Sequence, residues 1–288
     1  DPAGVYIDGT LGGGGHSAAL LDALAPEALV IGIDRDPEAL ATARQRLADE
    51  EAAGRFVAVH ATFAEIARAM REAGTEPGTA SGVLLDLGVS SRQLDAAARG
   101  FAFSASGPLD MRMDGTSGET AAELIARLRA DALADVIYQY GEERRSRGIA
   151  RAIKKAERME TTGDLADAVR SSVPTRDEVK SLARVFQALR IAVNGEMEQI
   201  DEAFPAALDA LRTGGRLAVI AYHSLEDRPA KRFLRHGSFD AQPAKDTYGR
   251  VISPLAPVTR RAVTASEAEI AANPRARSAR LRVAEKTD

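Results

Sequence analysis

The chain has 288 residues, 45% of them hydrophobic, enough for one large domain or two modest ones around an ordinary buried core, so wholesale disorder is excluded. Its 38 basic and 42 acidic residues give a formal net charge of -4, which excludes a protein that coats nucleic acid over its whole surface but leaves room for local basic patches. With no cysteine, disulfides, thiolate metal sites and cysteine nucleophiles are excluded as well.

The first strand-like run begins at Val5. No apolar stretch approaches the ~18–20 residues of a membrane-spanning helix, so neither a signal peptide nor an anchor is expected. Strand candidates at residues 5–8, 29–34, 56–60 and 82–87 alternate with helix candidates at 17–24, 37–51 and 63–72. Asp36 followed by Pro37 is a strong helix start. This alternation predicts a parallel sheet covered on both faces. From about Gly115 only helices are expected, at 119–130, 131–140, 142–158, 164–172 and 177–199. In the last of these Leu182, Phe186, Leu189 and Val193 form one apolar stripe. A further helix at 201–212 ends at Gly214-Gly215, residues 216–222 restore a buried strand, 237–262 read as an extended loop, and 280–284 supply a last strand. The expected division is an α/β domain made of residues 1–114 and 201–288, interrupted by an all-helical insert at 115–200.

The sharpest local feature is Asp8-Gly-Thr-Leu-Gly-Gly-Gly-Gly-His16-Ser17, between a strand and a helix. Four successive glycines remove every Cβ there, so backbone amides can approach a ligand closely. Such a turn serves either a dinucleotide or S-adenosylmethionine. The dinucleotide spacing Gly-x-Gly-x-x-Gly would have to start at Gly9, and Leu11 then occupies the place of its second glycine. An acid ending the first strand sits awkwardly beside a pyrophosphate, whereas Asp8 suits the cationic end of S-adenosylmethionine, so charge favours the methyl donor. Asp34, ending the second strand, is placed to grip ribose hydroxyls in either class. Phe63 follows the third strand and is a candidate to face an adenine. Asp86 ends the fourth, at the sheet edge where catalytic groups gather, and is a candidate acceptor for the N–H of an exocyclic amine. In the segment 99–114, Phe101 and Phe103 beside Arg99 have the composition of a base-stacking loop. Asp110 and His223, near further loop and strand ends, are additional candidates for catalysis or base contact.

Basic residues cluster in three places. Residues 144–158 carry seven cations and one acid, among them Arg144, Arg145, Arg151, Lys154 and Lys155. Arg228, Lys231, Arg232 and Arg235 follow the strand ending at Tyr222, and Arg275, Arg277, Arg280 and Arg282 lie near the C-terminus. Three such groups in a net acidic chain would form a phosphate-tracking surface if they converge. His16, His60, His223 and His236 show no short ligand spacing, so no metal is expected, and Tyr222-His-Ser-Leu-Glu226 lacks a nucleophile elbow.

Taken in order, Tyr6-Ile-Asp-Gly-Thr-Leu-Gly-Gly-Gly-Gly-His-Ser17, Gly32-Ile-Asp-Arg-Asp-Pro37, Leu84-Leu-Asp-Leu-Gly-Val-Ser-Ser91, Gly107-Pro-Leu-Asp-Met-Arg-Met-Asp114, Tyr140-Gly-Glu-Glu-Arg144, Phe186-Gln-Ala-Leu-Arg-Ile-Ala-Val-Asn194, Tyr222-His-Ser-Leu-Glu-Asp227 and Asn273-Pro-Arg-Ala-Arg-Ser278 closely resemble the bacterial ribosomal RNA small-subunit methyltransferase H family, also called MraW. The resemblance implies a class I, Rossmann-like S-adenosylmethionine-dependent methyltransferase sheet with an inserted helical substrate-recognition domain. It further implies cytoplasmic N4-methylation of a cytidine at position 1402 of 16S ribosomal RNA in the small subunit. Gly14, Gly15, His16, Asp34, Phe63, Asp86 and Gln93 occupy the family's cofactor positions. Arg144, Arg145, Arg151, Lys154, Lys155, Arg232 and Arg277 are the expected RNA contacts, and a homodimer is compatible with the sequence without being required by it. The absence of cysteine is consistent, because methylating C5 of a pyrimidine normally needs a covalent cysteine adduct and an exocyclic nitrogen does not. The chain departs from the family pattern at Lys180–Arg184, at Pro229-Ala230, and in starting at Asp1 without a preceding His-x-Pro-Val-Leu stretch. Two other readings are an RNA-binding module that kept the fold without catalysis, and a nicotinamide-dependent oxidoreductase, which the glycine spacing disfavours.

Overall fold

The structure, a computed structural model, describes residues 1–240, 245–249 and 252–287. The chain divides into two compact units, residues Asp1–Gly88 with Met197–Asp288, and residues Val89–Glu196.

The first unit begins with Val5–Asp8 (β1), Gly15–Ala23 (α1), Leu29–Asp34 (β2), Pro37–Arg46 (α2), Ala48–Ala52 (α3), Phe56–His60 (β3), Ile66–Glu72 (α4) and Ala80–Asp86 (β4). The first three strands have the bounds that their apolar runs predict. The single helix expected at 37–51 is broken at Leu47, which adopts neither helical nor extended backbone between α2 and α3. Asp36 caps α2 by accepting from the Glu38 amide at 3.0 Å.

The second unit holds Ser91–Asp95 (α5), Ala121–Arg127 (α6), Ala130–Gly141 (α7), Ser146–Lys155 (α8), Thr162–Arg170 (α9) and Glu178–Asn194 (α10). It starts 26 residues before the change of pattern at Gly115, because Phe101, Leu109, Met111 and Met113 are buried among Leu133, Ile137, Ile149, Leu165, Leu182 and Phe186. Segment 99–114 is therefore a core segment of the helical unit rather than an open loop of the sheet domain. The helix expected at 142–158 starts only at Ser146, since Glu142 closes α7 in the left-handed region (φ 51°). Likewise the helix expected to run to 199 stops at Gly195 (φ 60°). Gly141 lets α7 and α10 approach, for a Cβ there would lie 2.6 Å from the Arg184 carbonyl oxygen.

Glu196–Ala210 (α11), Leu211–Ala221 (β5), Ser224–His236 (α12), Leu255–Pro257 (β6), Val263–Thr264 (β7), Glu267–Ala272 (α13) and Arg280–Lys286 (β8) complete the chain. The expected loop at 237–262 thus contains β6, and residues 241–244, 250 and 251 lie outside the described residues. The strand order is β3-β2-β1-β4-β5-β8-β6, with β7 also pairing β8. The first five strands are parallel, and β8 runs antiparallel to β5 and β6. Alternation along β2 sends Ile31 and Ile33 to one face, with Met70, Phe204 and Phe233 of α4, α11 and α12, and Val30 to the other, with Leu21 and Leu40 of α1 and α2. Strand order reverses between β1 and β4, and the carboxyl ends of those strands are where an open α/β sheet binds its ligand.

Candidate active site

The turn after β1 is held to both neighbouring strands. The Gly9 amide donates to the Leu84 carbonyl of β4 at 2.9 Å, and the Leu11 amide donates to the Ile33 carbonyl of β2 at 2.9 Å. Glycine is required at position 14, where φ is 76° and a Cβ would stand 3.2 Å from the Ala43 Cβ. Gly14 caps α1 and Gly15 is its first residue, so the glycine run ends as a helix N-terminus at the sheet's carboxyl edge.

Asp8 does not face this edge. It has no exposed surface, accepts from the Ser17 hydroxyl at 2.8 Å and the Thr10 amide at 3.3 Å, and burial pushes its carboxyl up from the ordinary range. It ties β1 to α1, which corrects the expectation that Asp8 meets the cationic end of the methyl donor. The charge argument against a dinucleotide loses that support.

Asp34 organises the second wall. Its Oδ2 accepts from the Gly12 amide at 2.7 Å and its Oδ1 from the Asp36 amide at 2.8 Å, while burial raises its carboxyl against the pull of both amides. Each oxygen keeps a second lone-pair direction, so a pair of vicinal hydroxyls can still be accepted. Phe63 is half-buried at the start of a 3-10 turn and packs on the main core.

Asp86 is the centre of the site. Its amide donates to the Thr10 hydroxyl oxygen at 2.6 Å, and its Oδ2 lies 3.2 Å from His16 Nε2. The bond to Asp86 raises the His16 pKa, and burial followed by the Asp86 charge pushes the Tyr222 phenol well above its ordinary value. The remaining oxygen, Oδ1, is buried and has no protein partner. Leaving such an atom unpaired is costly, so a donor from a ligand is the natural complement. Thr10 was not identified from sequence; its spacing of 76 positions to Asp86 leaves no local signal. Tyr222 directly follows β5, which pairs with β4.

Several of the other candidates make contacts within the protein. His223 caps α12 and sits 3.0 Å from Glu226, with both side chains largely buried. Gln93 belongs to the helical unit, where its Oε1 accepts from the Ser90 amide at 3.0 Å in a capping box. Asp110, in the same unit, grips Arg112 through both carboxylate oxygens, at 2.7 and 2.8 Å. Burial would raise its carboxyl, but the Arg112 hydrogen bonds and charge outweigh it and hold it below the ordinary range. Arg145 pairs with Asp177 at 2.8 Å, Lys154 donates to the Ile125 carbonyl at 2.9 Å, and Arg232 to the Phe239 carbonyl at 3.3 Å. Arg144, Arg151, Lys155 and Arg277 are exposed. Of the three basic groups, Arg228 from the second meets Arg277 and Arg280 from the third at one cleft.

A doubly wound sheet of this order, with a glycine-rich turn at the strand-order reversal, an acid ending β2 and another ending β4, defines a class I S-adenosylmethionine-dependent methyltransferase. The glycine cradle and the spare acceptor capacity of Asp34 fit that cofactor. The chain belongs to the MraW methylase family, whose model matches residues 1–287. A ribosomal RNA small subunit methyltransferase H of Chlorobium luteolum is 50% identical to it over 301 residues, covering 99% of this chain and 91% of that protein. A protein of the same name from Acinetobacter baylyi is 48% identical over 290 residues, covering 98% and 92%. Among solved structures, an rRNA methylase of Streptococcus thermophilus shares 14% identity at a TM-score of 0.44, covering 100% of this chain and 89% of that one. No helix among the described residues is long and apolar enough to cross a membrane.

Proposed function

We propose that this chain methylates the exocyclic N4 of a cytidine in 16S ribosomal RNA, at position 1402 of the small subunit's decoding region. The single observation that carries the chemistry is the buried, unpartnered Oδ1 of Asp86 at the carboxyl end of β4. The names of the curated relatives support the ribosomal substrate.

S-adenosylmethionine would supply, when bound, a sulfonium methyl carbon that an amine can attack directly, the neutral thioether leaving with the sulfur–carbon bond's electrons. Asp34 would hold its ribose hydroxyls with the lone pairs left over from the Gly12 and Asp36 amides, and the Gly12–Gly15 turn would receive it without a Cβ in the way. Asp86 Oδ1 would accept a hydrogen bond from the target amine, orienting the nitrogen lone pair for attack and giving the departing proton a nearby acceptor. His16 holds the other oxygen of the Asp86 carboxylate at 3.2 Å. Nitrogen is the fitting target atom, since a chain without cysteine lacks the nucleophile that C5 methylation of a pyrimidine uses. A ribosomal substrate places the reaction in the cytoplasm, and the helical unit, with the exposed Arg144, Arg151 and Lys155, serves substrate recognition.

Calorimetric titration with S-adenosylmethionine and with NAD, followed by methyl transfer to small subunits lacking the modification, tests this reading. Binding of the methyl donor alone and label in the RNA are expected. NAD binding in its place, or RNA binding with no cofactor and no transfer, would overturn it.

A further inference from the structure

The sheet-bearing unit contains a cleft of about 450 Å³ that the cofactor assignment leaves unused. Tyr222 forms part of its wall and directly follows β5, whose Ile220 pairs with Asp86 of β4, so the cleft opens at the same carboxyl edge of the sheet as the acceptor carboxylate. Three arginines, Arg228, Arg277 and Arg280, line it against a single carboxylate, Asp227. That carboxylate is already taken: Arg282 grips both its oxygens at 2.8 and 3.1 Å, and Arg280 shares one of them at 3.3 Å. Burial works to raise Asp227, but the Arg282 and Arg280 contacts hold it below the ordinary carboxylate range, so it stays ionised and anchors Arg280 at the rim. The cleft keeps an excess of positive charge.

Its backbone is held firmly although its cations are exposed. Asn273 caps the turn Pro274–Ser278 by accepting from the Arg275 amide at 3.2 Å, and Ala276 is buried beneath it, so Arg277 projects from a fixed turn. Guanidinium groups fanned around a concave surface match the geometry of phosphate oxygens. A volume of this size admits a nucleotide unit.

We propose that this cleft binds a phosphate of the RNA strand next to the target nucleotide, and that Arg277 and Arg280 position the strand so that its base reaches Asp86. The proposal rests on the RNA-methylating reading above and adds to it where the strand is held. It gives the Asn273-Pro-Arg-Ala-Arg-Ser278 segment a role that cofactor binding does not.

The test uses the full chain, small ribosomal subunits lacking the modification as substrate, and labelled S-adenosylmethionine, with Arg277→Ala, Arg277→Glu and Arg277→Lys compared at several salt concentrations. Transfer by the unmodified protein checks the parent reading by itself, and circular dichroism checks folding. The expected result is a KM for subunits raised about tenfold by Arg277→Ala and more by Arg277→Glu, partial recovery with Arg277→Lys, and an unchanged KM for S-adenosylmethionine. The slope of log(kcat/KM) against log salt should also become shallower by about 0.7–0.9, as loss of one phosphate contact requires. An active parent whose Arg277 variants keep the same KM and salt slope overturns the proposal and leaves the parent reading standing. A rise confined to the KM for S-adenosylmethionine overturns it too, since Arg277 would then serve the cofactor.

Discussion

His16 Nε2 and Asp86 Oδ2 lie 3.2 Å apart across 70 residues of sequence, joining the first turn of α1 to the end of β4. The site is thus an acid held at one carboxylate oxygen by His16, with its other oxygen buried and without a protein partner.

Replacing Asp86 by alanine removes that acceptor. The kcat for methyl transfer should fall by about 10²–10⁴, the range for a positioned acid or base. Calorimetry should show weakened S-adenosylmethionine binding, while urea denaturation should show a retained fold.

His16→Ala deletes the side-chain partner of Asp86 Oδ2. The loss of one hydrogen bond to a charged group, about 1.5–3 kcal/mol, should lower kcat by roughly ten- to a hundredfold with the melting temperature nearly unchanged. A steady-state assay beside a thermal melt separates the two effects.

Asp8 gives a pH signature. Its folded-state carboxyl is raised by burial, so between the unfolded value near 3.8 and the raised folded value the native state holds the extra proton. Stability therefore falls as pH rises through that window. Asp8→Asn keeps an acceptor for Ser17 without the buried charge, so its denaturation midpoint should gain on that of the unmodified protein as pH rises from 4 upward. Parallel curves for the two proteins across that range would show that Asp8 is not the source.

In the helical unit, Asn194 donates to the Met111 carbonyl at 2.8 Å and accepts from the Met113 amide at 2.8 Å, holding a segment in which Met111 has a φ of 63°. Asn194→Ala strands two buried backbone groups, and about 2–4 kcal/mol of stability should be lost, measured by urea denaturation.

Much of this architecture was legible in the residues. The apolar runs of β1, β2 and β3 and the glycine turn define the sheet's working edge without help from tertiary contacts. Helix ends were less legible, because Glu142 and Gly195 stop their helices through left-handed backbone that apolar periodicity does not record. Asp8 and Asp86 look alike in sequence, each an acid ending a strand, yet one is buried behind α1 and the other has an oxygen without a protein partner. Only the Ser17 hydroxyl on Asp8, and His16 on Asp86, separate their roles.

The central claim is tested most directly by incubating small subunits that lack the modification with isotopically labelled S-adenosylmethionine and this chain, digesting the RNA, and locating the label by mass spectrometry. The account predicts N4-methylcytidine at position 1402 of 16S ribosomal RNA. Label on carbon 5, on another nucleotide, or on no nucleotide would contradict it.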